Sequence, residues 1–176
     1  MTTAIHDPVM ELLRAALDPA SHRTDARSPI ELPTGRLVAA AAHADADAEG
    51  IDRLTQLAAG TSMAALGLTA ELAARNGQSP AELLDAMDRT AREHGNDEPA
   101  PVVQVVRSML EGPADEGAEL LGRTFARDQG DFLTLLLELA TYCGTSIMIL
   151  EKKYDTPKEQ TLQDLENALT AWGDQA

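Results

Sequence analysis

Cys143, the histidines His6, His22, His43 and His94, and the acidic run from Asp45 to Glu49 are the residues whose chemistry would matter most if they acted in concert. A nucleophile needs a base within reach. The single cysteine sits in an apolar run and no Gly-x-Ser-x-Gly elbow occurs, so the sequence does not point to covalent catalysis. No two histidines stand at metal-ligand spacing and there is no Glu-x-x-His pair, which argues against a zinc site and against a carboxylate-histidine di-metal bundle. A phosphate-cradling glycine loop and a dinucleotide fingerprint are also missing. We therefore expect no catalytic residue, no metal and no cofactor, and we read most carboxylates as solvent-facing or capping groups.

The acidic run needs a closer test. Asp45, Asp47, Glu49 and Gly50 match positions one, three, five and six of an EF-hand calcium loop. Position twelve is Gln56 instead of a bidentate glutamate, and Ile51 falls one place before the apolar residue such loops carry at eight. A plain connection between helices, whose aspartates cap the helix that follows, is the better expectation.

What must position these residues is a set of helices. The stretch Gly130 to Tyr154 is the longest apolar segment and carries one charge, Glu138, between Phe132 and Leu150. It reads as a central buried helix. A membrane span needs about 20 apolar residues; Glu138 and the polar group Thr141, Gly144, Thr145 and Ser146 weigh against one. Apolar residues make up 44% of the chain but aromatic residues only 3%, so the core must be built from Leu, Ala, Val, Ile and Met, which suits helices better than strands.

Apolar spacing and end signals give the order. Helices are expected from about Pro8 to Leu17, Arg36 to Ala46, Ile51 to Arg75, and from Pro80 to His94, where the last opens on the capping box Ser79-Pro80-Ala81-Glu82. Others follow from Pro101 to about Leu110, from Ala114 to Arg127, from Gly130 to Tyr154, and from a second capping box, Thr156 to Glu159, to Trp172. Residues 19–35 read as a long loop containing the basic cluster His22, Arg23 and Arg27. Gly60, Ala64, Ala65 and Gly67 form a small-residue patch that lets another backbone come close, so the third helix should be central too.

The fold class expected is all-α: a single-domain bundle of about eight helices over residues 1–176. Two features recur in order. A long apolar helix with Gly-Thr-Ser (Gly60 to Ser62, then Gly144 to Ser146) is followed by a Ser/Thr-Pro-x-Glu helix start. This raises a duplication into four-helix halves, 7–95 and 101–173, against coincidence of common capping chemistry. Leu72 to Met87, LAARNGQSPAELLDAM, resembles the turn of helix-turn-helix and ribbon-helix-helix DNA-binding proteins. Asn76 and Gln78 flank its glycine where the first class has apolar residues, and an apolar helix precedes it where the second has a basic strand. Glu82, Asp85 and Asp88 would face phosphates, so nucleic acid is not an expected partner.

A formal net charge of -15 says the same of nucleic acid and of anionic membranes. The lone cysteine and the absence of a secretory signal in MTTAIHDPVMELLRAAL lead us to expect a cytoplasmic protein. Our first expectation for function is a non-catalytic adaptor or regulator that presents an acidic helical surface to a protein partner, or to itself through the stripe Leu162, Leu165, Leu169 and Trp172. One alternative is a ligand-binding or enzymatic bundle with a pocket between the two long helices, lined by Met63, Tyr142, Cys143, Thr145 and Met148. That pocket would be sought where the helices cross, at Gly60 and Gly144. The other alternative is an acidic inhibitor or immunity protein of a basic partner.

Overall fold

The computed structural model describes residues 6–48, 52–96, 98–112 and 116–173. Among these the chain forms eight α-helices and no strand: α1 (His6–Ala16), α2 (Pro33–Asp47), α3 (Asp52–Asn76), α4 (Pro80–Glu93), α5 (Pro101–Glu111), α6 (Glu116–Arg127), α7 (Gln129–Tyr154) and α8 (Lys158–Gly173). The expected all-α bundle is what is seen. Helix ends differ from the expected ones by a few residues, as frayed or 3-10 ends do. The long loop is more ordered than its composition implies. Its stretches Pro19–His22 and Pro29–Glu31 are 3-10 turns, and the second packs on α2, where a Cβ on Gly35 would lie 1.8 Å from the Pro29 carbonyl oxygen.

The axis of the molecule is the pair α3 and α7, which share its most extensive helix contact. Leu135, Leu139, Ile147 and Leu150 are at most 5% exposed, so α7 is buried by its own chain along these positions. Both helices are long and apolar enough to cross a membrane by length and composition. Half or more of the relevant window in each is instead buried inside the bundle.

The helix that most repays inspection is α1. Val9, Met10, Leu12, Leu13 and Ala16 are all essentially inaccessible, and α1 touches both α3 and α7. A Cβ on Gly60 would stand 2.4 Å from Val9 Cγ2, and one on Gly144 would stand 2.8 Å from the Ala16 carbonyl oxygen. Each glycine is thus a seat of α1: at Gly60 the Val9 side chain comes close, and at Gly144 the α1 backbone itself.

Around this centre α2 lies on α3, α6 on α7, and α4 and α5 pack on each other and on α3. Helix α8 closes the bundle against α1, α3 and α7. Turn chemistry fits: Gly77 and Gly95, after α3 and α4, have φ of +68° and +86°, the left-handed region that glycine enters without cost. Asp155 takes the same role after α7, at φ 54°.

Candidate functional site

The residues picked from sequence as pocket-lining fall on different sides of α3 and α7. Cys143 is fully buried and Thr145 is exposed, with Met63, Tyr142 and Met148 between these extremes. Polar groups do converge along the α3–α7 seam. Thr69 donates to the Ala65 carbonyl at 2.7 Å, which leaves its oxygen to accept from the Tyr142 hydroxyl at 2.6 Å. The Cys143 thiol donates to the Thr61 carbonyl at 3.7 Å. Burial raises the pKa of Tyr142 and pushes that of the Cys143 thiol up strongly. A thiol so placed is a small core residue, since reactivity requires the thiolate. The hydroxyls of Thr61 and Ser62 are buried with no protein partner.

Asp45 is engaged within the chain. Both Asp45 and Asp47 lie within α2, not in a loop. Asp45 is 4% exposed, and its two carboxylate oxygens accept the backbone N–H groups of Arg53 (3.0 Å) and Leu54 (2.9 Å) at the start of α3. That is the capping role expected of the run, carried out across the connection. Glu49 and Gly50 lie outside the described residues. Among the described residues no cluster of three or more His, Cys, Asp or Glu is arranged to hold a metal.

The acidic helix α4 also uses its charges inside the molecule. Ser79 and Glu82 form the expected capping box, and the Ser79 backbone N–H lowers the pKa of Glu82. Asp85 and Asp88 grip Arg107 of α5 at 2.9 and 2.8 Å, with Glu111 at 3.6 Å. Burial works against the Arg107 charge, but the hydrogen bonds to Asp85 and Asp88 outweigh it and raise the guanidinium pKa. Arg23 of the basic cluster is likewise held by Asp25, at 2.9 Å, and His22 by the Ala16 carbonyl. On α8, Leu165 and Leu169 are 8% and 5% exposed, docked within the chain; Leu162 and Trp172 are half-buried.

The described residues enclose several concavities, two of which bring together features that sequence reading did not locate. The larger, about 450 Å³, opens between α5, α6 and α7. Its floor includes Val105, Leu120 and Leu135, and Glu98, Arg127, Asp131 and Glu138 stand around it. Asp131 is taken by Arg127 at 3.0 Å. Among the described residues Glu98 and Glu138 form no ion pair or hydrogen bond. The second is an apolar groove of about 240 Å³ where α6 stands off α3. Ala58, Ala59 and Gly122 leave it open, and Phe125 and Phe132, edge to face at 5.2 Å, form its end. The one sequence signal for the first surface was Glu138, the single charge in an apolar helix.

Compared with protein-family models, with curated proteins and with solved structures, the chain has no significant match.

Proposed function

We propose that this chain is a non-catalytic helical protein that works by holding a protein partner, with the cleft between α5, α6 and α7 as the contact surface. The observation that carries this is the cleft's make-up: an apolar floor beneath two carboxylates, Glu98 and Glu138, that form no ion pair among the described residues. Such a surface suits a basic amphipathic segment, whose apolar side meets Leu120 and Leu135 while a Lys or Arg meets the carboxylates. An inhibitor of a basic enzyme is the special case in which that segment belongs to the enzyme. The reading also places the protein in the cytoplasm, in line with its free cysteine.

A titration of a short Lys/Leu amphipathic peptide, followed by calorimetry, tests the reading. E98Q/E138Q should weaken binding about tenfold or more, equivalent to about 1.4 kcal/mol. The control pair E159Q/D164Q, which removes the same charge from exposed positions of α8, should change it little. Equal losses in both variants would mean that net charge alone attracts the peptide, and the cleft would lose its role.

A second reading, a small apolar ligand in the α3–α6 groove, is favoured by Phe125, Phe132 and the open space over Gly122. Gly122→Leu should displace an apolar dye from it; undiminished dye binding would remove the groove from consideration. The idea of two related halves is supported by helix pairing. The contacts α1 with α3 and α7, α2 with α3, and α4 with α5 have the counterparts α5 with α7 and α3, α6 with α7, and α8 with α1. Two pairings break it, since α8 lies on α3 and α2 on α7 without matching packing of α4 or α6. A circular permutant joined from α8 to α1 and opened between α4 and α5 should fold; a permutant without cooperative unfolding would count against two units.

A further inference from the structure

The exposed edge of α7 runs its whole length and is made of Thr134, Glu138, Thr141, Thr145, Ile149 and Lys152. Their spacing of three and four residues keeps them on one line of the helix. Between Glu138 and Lys152 the line bears no charge, in a chain whose net charge is -15. Ile149, 40% exposed, is one of two large apolar side chains so open to solvent among the described residues. Among the described residues Lys152 makes no ion pair or hydrogen bond, unlike Lys153, which donates to Asn76 at 3.2 Å and lies over the Tyr154 ring.

Resting on the reading of the cleft as the contact surface, we propose that its partner is a second copy of this chain, docked antiparallel along α7 with the two-fold axis at Thr145. The argument is charge register. Glu138 and Lys152 lie on opposite sides of Thr145 at equal separation, two helical turns or about 10.5 Å along the axis. An antiparallel pair centred on Thr145 therefore sets Glu138 of each copy against Lys152 of the other, and Thr141 against Ile149. A parallel pair would set Glu138 against Glu138 and Lys152 against Lys152. Opposite charges flanking an uncharged seam select the first arrangement, as they do in paired helices generally. Glu138 lines the cleft, so Lys152 of the second copy arrives at its mouth beside Glu98. A contact built mainly on one helix face is smaller than the roughly 1,600 Å² of a standard interface, so the dimer is weak and depends on concentration.

Sedimentation equilibrium over a wide concentration range tests this. The native chain should dimerise. Glu138→Lys and Lys152→Glu should each lower the association constant at least tenfold, because each sets like charges opposite one another. The double swap E138K/K152E should restore association to within about threefold, a recovery that a general change in net charge does not give. Thr145→Cys should form a disulfide-linked dimer with oxidised glutathione, while Arg89→Cys on α4 should not; Cys143 is fully buried and stays out of the exchange. A chain that stays monomeric at millimolar concentration overturns the proposal, as does a dimer indifferent to both single changes. If that monomer still binds the basic peptide through Glu98 and Glu138, the second copy is ruled out and the cleft reading stands.

Discussion

Glycine at two positions makes opposite demands on the chain. Around Gly122 an added Cβ meets nothing within 4 Å, whereas at Gly144 it meets the Ala16 carbonyl oxygen at 2.8 Å. Gly122→Ala should thus stabilise the protein by up to about 1 kcal/mol, the helix-propensity gain. Gly144→Ala should destabilise it by about 1–3 kcal/mol, because α1 must back away. Urea unfolding of the two variants checks the pair. The sequence marked Gly144 as special through its Gly-Thr-Ser setting, but it could not say which element comes close, because that is fixed by tertiary packing. A second residue sets a pH limit. The folded chain keeps the Cys143 proton because burial raises the thiol pKa, whereas the unfolded thiol ionises above pH of about 8.5. Above that pH the unfolded state binds fewer protons than the folded one, so stability falls with rising pH, by about 1.4 kcal/mol per unit. Tyr142, also raised by burial, adds its own loss only past pH of about 10. Cys143→Ala should remove the first slope in a series of urea curves from pH 7 to pH of about 10; an unchanged slope would place its origin elsewhere.

At the level of elements, α4 and α5 are joined by one ion cluster whose partners differ in burial. Asp88 is 8% exposed and Arg107 26%, and Asp88 Oδ1 has no hydrogen-bond partner even with the arginine in place. Arg107→Met should therefore cost about 3 kcal/mol, since it strands a buried carboxylate. The double change R107M/D88L should recover most of that loss, because apolar groups of similar size do without both desolvation penalties. Denaturant midpoints of the single and double variants give the comparison. Of the elements themselves, those with strong end signals were legible: Ser79-Pro80 with Glu82 opened α4, and Gly77 and Gly95 closed α3 and α4. Less legible were the ends made by residues with many uses. Asp128 caps α7 through the N–H groups of Gly130 and Asp131, and Asp155 closes it in a left-handed conformation more often given to glycine. Helix α8 shows the commonest limit. Its stripe was read as a contact with a second copy, but a stripe does not say whether its neighbour is the same chain or another, and Leu165 and Leu169 bury against their own bundle.

Over the whole molecule, burial and charge act on different parts. The apolar centre around α3 and α7 was legible from hydrophobic length alone, whereas the cleft, made by the three consecutive helices α5, α6 and α7, was not. Pattern reports which face of a helix is apolar, and a concavity depends on how far three such faces stand apart. The chain carries 29 acidic against 14 Lys and Arg residues. Close ion pairs such as those at Arg107, Arg23 and Arg127 use up basic side chains without reducing the excess, which repels itself. At low ionic strength, with a Debye length of about 30 Å at 0.01 M salt, that repulsion spans the bundle; at 1 M, with about 3 Å, it is confined to neighbours. Exposed ion pairs lose their small contribution over the same range, but each is worth about 1 kcal/mol at most. Repulsion grows with the square of the uncompensated charge, so its relief should win and added sodium chloride should raise the unfolding temperature. Lys152→Glu keeps association out of the reading and should show a steeper rise than the native chain, having two more units of net negative charge. Thermal unfolding by circular dichroism at micromolar concentration measures both slopes; a temperature that falls with salt would show that the ion pairs, not the net charge, govern the electrostatics of this fold.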